Sequence, residues 1–459
     1  MKLASVFIAN RGEIAVRINR ACRKLGLRVV QAASAADMDS LAARLADAVV
    51  EIGAPPAAKS YLDIAAVVEA ARRSACDAVH PGYGFLAENA DFADAVVAAG
   101  MAFIGPDGDA IRLLGDKVEA RRVAQTAGVP VVPGSDGRIA DLAEAAAVAE
   151  EIGYPVMIKA AAGGGGRGIR IAHDAQEFAR FFPQASNEAQ ASFGDGGLYV
   201  EKVIERARHV EVQILGDGER FVHCFERECS LQRRRQKVWE EAPAYELDPD
   251  VRQALCDSAV ALAAEVHYRG AGTVEYLYDA ISRAFYFIEV NTRIQVEHPV
   301  TEMVTGIDLV ETMIRIAGGE PLAVTQDTVE LHGHAIECRI NAEDPTRNFM
   351  PGPGTISALE VPDDPEIRFD TLLYDGYTIP PFYDSLLGKL IVHGSDRADC
   401  LARLRRALKR FRIEGVPTTL ALHRALADDP DVIAGNVDTR FLEPWIEQHF
   451  AQPKPQQEV

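Results

Sequence analysis

The chain has 459 residues, 48% of them apolar and 25% charged, a composition that excludes a disordered chain, a collagen-like repeat and a disulfide-dense secreted scaffold. With 48 Lys and Arg against 68 Asp and Glu, the formal charge is −20. A nucleic-acid backbone is therefore repelled, and an anionic substrate needs a local concentration of cations. Seven cysteines without a CxxC spacing read as buried thiols in a reducing, cytoplasmic setting. The N-terminal residues lack the apolar stretch of a secretion signal, and no run is long enough to span a bilayer.

Residues 3–9 (LASVFIA) read as a buried strand, and EIAVRINRACRKLG after it as a helix with apolar residues at helical spacing. LRVVQAAS is a second strand and LDIAAVVEAARRS a second helix. This alternation predicts a parallel α/β sheet. The turn GDK marks a boundary, giving a first domain over residues 1–115. A second, α+β region runs over 116–330. A third, β-rich region runs over 331–446 and closes with the helices ADCLARLRRALKR and LALHRALAD. Residues 447–459, polar and with two prolines in AQPKPQQEV, read as a disordered tail.

Gly163, Gly164, Gly165, Gly166 and Gly168, with Arg167 between, match GxGxxG literally. The residues that follow, IRIA, alternate as a strand, whereas a dinucleotide fingerprint requires a helix there. The run is therefore a glycine loop between two strands. Its backbone N–H groups can approach phosphate oxygens, and Lys159 on the preceding strand YPVMIKA supplies a point charge.

AGTVEYLYD and FYFIEVN form two strand-like runs joined by a short turn. A turn centred on Ser282 sets Glu275 opposite Glu289, with Cβ atoms about 5 Å apart. Two bare carboxylates that close repel, and a divalent cation with a preference for oxygen, Mg²⁺ or Mn²⁺, removes the conflict. From Glu289 onward every second residue is polar: Asn291, Arg293, Gln295 and Glu297. If the backbone stays extended, all five project to one side. A basic run, Arg233, Arg234, Arg235 and Lys237, lacks interleaved aromatics and suits a small polyanion better than nucleic acid. HPGYGFLAEN is a turn with an exposed Tyr83 and a terminal acid.

These residues resemble one family. IANRGEIAVRI, HPGYGFLAEN, FIGP, GDK, KAAAGGGGRG, RHVEVQIL, QRRRQKV, FIEVNTRIQVEHPVTE, GHAIECRINAEDP and YDSLLGKLI are similar to the motifs of the biotin carboxylase component of biotin-dependent carboxylases. The resemblance implies an N-terminal Rossmann-like (pre-ATP-grasp) domain, an ATP-grasp domain with a mobile glycine-rich lid at about residues 131–203, and a C-terminal β-rich domain. The implied activity is ATP- and bicarbonate-dependent carboxylation of biotin on a carrier protein through carboxyphosphate, the first half-reaction of an acetyl-CoA or other acyl-CoA carboxylase.

On this resemblance Lys117, Lys159 and the glycine loop contact ATP phosphates. Glu201, Lys202, Val203 and Ile204 form the hinge at adenine, and His209 and Gln232 lie near the ribose and phosphates. Glu275, Glu289 and Asn291 hold Mg²⁺ or Mn²⁺, with two ions expected. Lys237, Arg293, Gln295 and the Val296 backbone bind bicarbonate, and Glu297 is the base, kept ionised by Arg293 and Arg339. Arg339 also stabilises the biotin enolate, and Tyr83 lies beside the biotin ring. Arg235 departs from the family's usual histidine in QRRHQKV, and Ala162 stands where some members have glycine.

No Met-Lys-Met motif for carrying biotin and no carboxyltransferase-length segment is found. The implied partners are therefore a separate biotin carboxyl carrier protein and a carboxyltransferase, with a homodimer as the expected assembly. The rival readings are a biotin-independent ATP-grasp carboxylate–amine ligase, the biotin carboxylase module of a pyruvate or urea carboxylase, and a non-catalytic regulatory subunit.

Overall fold

The computed structural model describes residues 2–160, 169–193 and 195–450. Ala162, Gly163 to Gly166, Arg167 and Gly168 lie outside the described residues.

The first region is built on β1 (Ser5–Ile8), β2 (Arg28–Ser34), β3 (Ala48–Gly53), β4 (Ala78–His80) and β5 (Ala102–Phe103). They form one parallel sheet in the order β3-β2-β1-β4-β5. Alternate residues of β1 serve opposite faces: Val6 and Ile8 pack in one apolar cluster and Phe7 in another, as a sheet covered on both sides requires. The helix Gly12–Lys24 follows β1. Between them, Asn10 donates to the carbonyls of Pro81 (2.6 Å) and Tyr83 (2.8 Å). This ties the HPGYG turn to the start of that helix and brings Tyr83 to Glu13.

A small antiparallel sheet comprises β6 (Val156–Ala160), β7 (Arg170–Ala172) and β8 (Leu198–Lys202), with β6 in the centre. Its β6–β7 pair, Val156 opposite Ala172, is the strand pair expected to flank the glycine loop.

The largest sheet joins the second and third regions. It contains β9 (Ala207–Asp217), β10 (Phe221–Arg233), β11 (Gln236–Ala242), β12 (Arg269–Asp279) and β13 (Phe285–Asn291). To these the C-terminal region adds β14 (His334–Asn341), then the short β15 (Glu343–Asp344), β16 (Met350–Pro351) and β17 (Ala358–Glu360) outside the sheet. β18 (Ile367–Thr371) and β19 (Leu386–Gly394) complete it. The order is β13-β12-β9-β10-β11-β14-β19-β18, antiparallel throughout.

The period-two alternation of these strands separates core from site. Val210, Val212, Ile214, Val274 and Tyr276 pack on Leu255, Ala259 and Leu262 of the helix Pro249–Glu265. Ile336, Cys338, Ile340, Leu390 and Val392 pack on Leu401 and Leu404 of the helix Arg397–Arg410. The intervening residues, among them Glu211, Glu275, Arg339 and Lys389, take the other face.

The tail expected from residue 447 starts inside a helix, Leu442–Phe450. Ile446 and Phe450 pack on the C-terminal core, and Trp445 donates to Asp429 at 2.7 Å. The polar composition further on obscured these apolar anchors. All seven cysteines are buried and free, and among the described residues no helix is long and apolar enough to cross a membrane.

Candidate active site

The site grows from a transverse row on the polar face of the large sheet. Arg227 on β10 lies opposite Glu211 on β9, Glu211 opposite Glu275 on β12, and Glu275 opposite Glu289 on β13. The expected pairing of Glu275 with Glu289 is therefore present. A register shift between Glu275 and Tyr276 puts one extra residue on β13 between this pair and the turn, so the pairing is not set by the turn alone. A parallel row holds Gln213, Thr273 and Asn291.

Arg227, wholly buried, binds both rows. It donates to Glu211 (2.6 Å), Gln213 (2.8 Å), Thr273 (3.0 Å), Gln295 (2.9 Å) and Thr301 (3.0 Å). All five guanidinium donors of such a group need partners when removed from water, and its three nitrogens find them here.

Lys237 is the hub. Its Nζ donates to Glu211, to Glu275 at 2.9 Å and to Glu297 at 2.6 Å. Arg339 takes the other oxygen of Glu297 at 2.9 Å and binds Glu240 at 2.6 Å. Burial alone would protonate Glu297, but Lys237, Arg339 and Arg227 outweigh it and hold its carboxyl below the usual range. The same competition, won by Lys237 and His209, holds Glu275 well below it. Burial would depress His209, but Glu275 and Glu211 lift it to about 9. Behind Arg339, Glu240 and Glu337 are direct cross-strand partners. Burial raises Glu240 to about 7 and Glu337 well above the normal range.

The row after Glu289 does not stay extended. β13 ends at Asn291, and Glu297, just before the helix His298–Thr305, has turn dihedrals (φ −80°, ψ 6°) and not extended ones. Three of the four later residues nevertheless converge. Asn291 and Gln295 each donate to Glu275 at 2.9 Å, and Glu297 meets Lys237. Among the described residues Arg293 has no ion pair with Glu297; it donates to Glu88 (2.8 Å), the acid of the HPGYGFLAEN turn, and to Asn291 (3.0 Å), which itself donates to Glu275. The cations on Glu297 are thus Lys237 and Arg339, not Arg293 and Arg339.

The basic run is also divided. Only Lys237 enters the acidic cluster. Arg233 lies over the Phe349 ring at 3.9 Å, and Arg234 donates through its side chain to Asn348 at 3.3 Å and through its backbone to Glu443 at 2.6 Å. Arg235 is exposed at the hairpin tip, with a φ of 66°. Tyr83 is not the exposed side chain expected. It is half-buried, and its hydroxyl donates to Glu13.

Lys117 begins the helix Lys117–Thr126 and lies 3.6 Å from Glu289. Lys159 on β6 pairs with Glu201 on β8. Lys202 is held by the Gly153 carbonyl at 2.9 Å, and Ile204 is half-buried just beyond β8. Gln232 donates to the Cys229 carbonyl at 2.8 Å.

Three family models match the chain in order: biotin carboxylase N-terminal domain over residues 2–111, carbamoyl-phosphate synthase L chain ATP-binding domain over 116–325, and biotin carboxylase C-terminal domain over 337–444. A biotin carboxylase from Nostoc sp. is 52% identical over 444 residues, covering 96% of this chain and 99% of the relative.

The chain belongs to the biotin carboxylase family.

It is an ATP-dependent ligase of the ATP-grasp type. The biotin carboxylase domain of a thermophilic 2-oxoglutarate carboxylase bound to bicarbonate is similar at 44% identity and a TM-score of 0.93, covering 97% of this chain and 99% of that one. The biotin carboxylase domain dimer of Hydrogenobacter thermophilus 2-oxoglutarate carboxylase, in complex with MgADP, ADP and bicarbonate, is 45% identical with a TM-score of 0.88, covering 97% and 98%.

Against this biotin carboxylase frame, sequence reasoning missed Glu13, Glu211, Arg227, Glu240 and Lys389. For two of them the signal was present: Glu211 in HVEVQIL and Lys389 in GKLI are lone charged residues set between uncharged, mostly apolar neighbours, whereas Arg227 and Glu240 each stand beside acids in FEREC and WEEA. Such a pattern either faces solvent or serves a buried polar site. The ligand atoms of His209, Glu211 and Glu275 lie within 4.8 Å of one another, a group that shares Glu275 with the expected pair but does not include Glu289.

Proposed function

We propose that this chain carboxylates biotin on a carrier protein with ATP and bicarbonate, as the first half-reaction of an acetyl-CoA or other acyl-CoA carboxylase. The observation that carries this reading is Glu297 held on one oxygen by Lys237 and on the other by Arg339, with Lys237 also bound to Glu275.

Bicarbonate is a poor electrophile and is activated by phosphorylation. Lys237, Arg293, Gln295 and the Val296 N–H would hold the anion, and Glu297 would take its proton. A bicarbonate oxygen then forms a bond to the γ-phosphorus as the bond to the β-phosphate oxygen breaks, giving ADP and carboxyphosphate. Catalysis of this transfer rests on positioning and charge. Carboxyphosphate splits to CO₂ and phosphate, the phosphate takes the N1′ proton of biotin, and N1′ bonds to CO₂. Arg339 would stabilise the enolate, and Tyr83 would sit beside the ureido ring.

Lys117, Lys159, Gln232, His209 and the glycine loop would face the nucleotide phosphates and ribose, with Glu201, Lys202 and Ile204 at adenine. Glu275 and Glu289 directly oppose each other, and with Asn291 they offer oxygen donors suited to Mg²⁺ or Mn²⁺. When bound, such an ion supplies positive charge to the polyphosphate.

The partners this reading calls for are a biotin carboxyl carrier protein and a carboxyltransferase, which selects the acyl acceptor. The Hydrogenobacter neighbour is a dimer, and we assign this chain the same state. Free buried cysteines agree with a cytoplasmic location. The test is ATP hydrolysis with saturating bicarbonate, with and without biotin. Stimulation by biotin supports the reading, and none favours the carboxylate–amine ligase.

A further inference from the structure

Two consecutive carbonyls in the turn between β13 and the helix His298–Thr305 are held from behind. The Gln295 carbonyl lies 2.7 Å from Nδ1 of His298. A carbonyl only accepts, so the ring proton sits on Nδ1. Nε2 is buried without a hydrogen-bond partner among the described residues. The next carbonyl, of Val296, accepts from Lys389 at 2.7 Å. Lys389 has no exposed surface, and Glu13 stands 3.1 Å away as its counter-charge.

In a trans peptide the carbonyl and the following N–H point in opposite directions. Holding the Gln295 carbonyl toward His298 therefore aims the Val296 N–H away from that ring. Among the described residues this N–H has no protein acceptor. Holding the Val296 carbonyl toward Lys389 fixes the peptide plane from which Glu297 departs.

Lys389 on β19 is also the direct cross-strand partner of Arg339 on β14. One pair of neighbouring strands thus grips Glu297 twice: Arg339 on its carboxylate at 2.9 Å, and Lys389 on the carbonyl just before it. Cross-strand partners share a face, so this grip follows from the register.

We propose that Lys389 and His298 are positioning residues for the bicarbonate half of the site. They set the direction of the Val296 N–H and the approach of the Glu297 carboxylate while touching neither substrate. This inference rests on the biotin carboxylase reading and deepens it.

The test uses the full chain with free biotin, comparing Lys389→Met, His298→Leu and His298→Asn, the last of which keeps an N–H near the place of Nδ1. Urea midpoints establish that each variant is folded. Lys389→Met and His298→Leu are expected to raise the KM for bicarbonate about 10-fold or more while the KM for ATP stays within about two-fold, because sub-ångström misplacement acts on the group misplaced. His298→Asn is expected to restore most of the bicarbonate KM. An unchanged bicarbonate KM in the folded variants, parallel rises in both KM values, or no rescue by Asn would overturn the proposal. If Lys389→Met does not fold, the two His298 variants decide it. A wild-type chain without bicarbonate- and biotin-dependent turnover overturns the underlying reading, and the positioning role with it. An active wild type with unshifted variants overturns the positioning role alone.

Discussion

Arg339 and Glu297 meet at 2.9 Å across the junction of two domains: Glu297 opens the helix after β13, and Arg339 lies on β14 of the C-terminal region. The contact puts the group expected at the biotin enolate against the group expected to deprotonate bicarbonate. It also leaves the second Glu297 oxygen to Lys237. A carboxylate with a cation on each oxygen stays ionised although it is buried.

Glu297→Ala is expected to reduce bicarbonate-dependent turnover by about 10²-fold or more, the scale of a lost general base. Lys237 keeps Glu211 and Glu275 as partners, so folding and ATP binding should persist. Nucleotide titration alongside turnover checks both, and near-wild-type turnover would refute the assignment as base.

Glu289→Gln removes one negative oxygen donor from the opposed pair. The Mg²⁺ concentration for half-maximal ATP turnover is expected to rise about 10-fold or more, and chelation should abolish turnover in the parent chain. A metal titration that superimposes on the parent's would place the ion elsewhere.

Arg235→His restores the residue usual in the family at an exposed hairpin tip. Arginine does not titrate near neutrality, whereas histidine does. The KM for ATP should thus acquire a pH dependence between about pH 6 and 8 in the variant that the parent lacks. Coincident profiles would show that the position does not touch phosphate.

The pairing of Glu275 with Glu289 was legible because strand register follows from a turn and an alternating pattern, although the bulge beside Tyr276 was not. The convergence of Asn291, Gln295 and Glu297 was legible as chemistry but not as geometry. Nothing local marks where β13 stops, and it is the fold of the turn, not an extended backbone, that returns these side chains to Glu275. Glu211, Glu240 and Lys389 escaped notice because their partners are distant in the chain: Lys389 serves Glu13 and Val296. Arg293 was placed beside Glu297 on the family resemblance, while the fold pairs it with Glu88.

His423 provides a test of stability. Its Nε2 lies 2.7 Å from the Arg339 carbonyl, Nδ1 is buried without a hydrogen-bond partner among the described residues, and burial lowers the ring from 6.5 to about 4. The folded state therefore resists a proton that the unfolded chain accepts. Stability is full above pH 6.5 and declines as pH falls toward about 4, by about 3 kcal/mol in all from this group. His423→Gln keeps a donor but cannot titrate, so its stability should fall less over that window. Urea midpoints measured across it check this, and parallel curves for parent and variant would contradict it.

The most direct measurement follows heavy-oxygen label from bicarbonate. If bicarbonate attacks the γ-phosphorus, one labelled oxygen must appear in the phosphate released for each biotin carboxylated, seen by mass spectrometry. Label transfer that requires Glu297 is the result this account requires. Unlabelled phosphate released during productive turnover would contradict it.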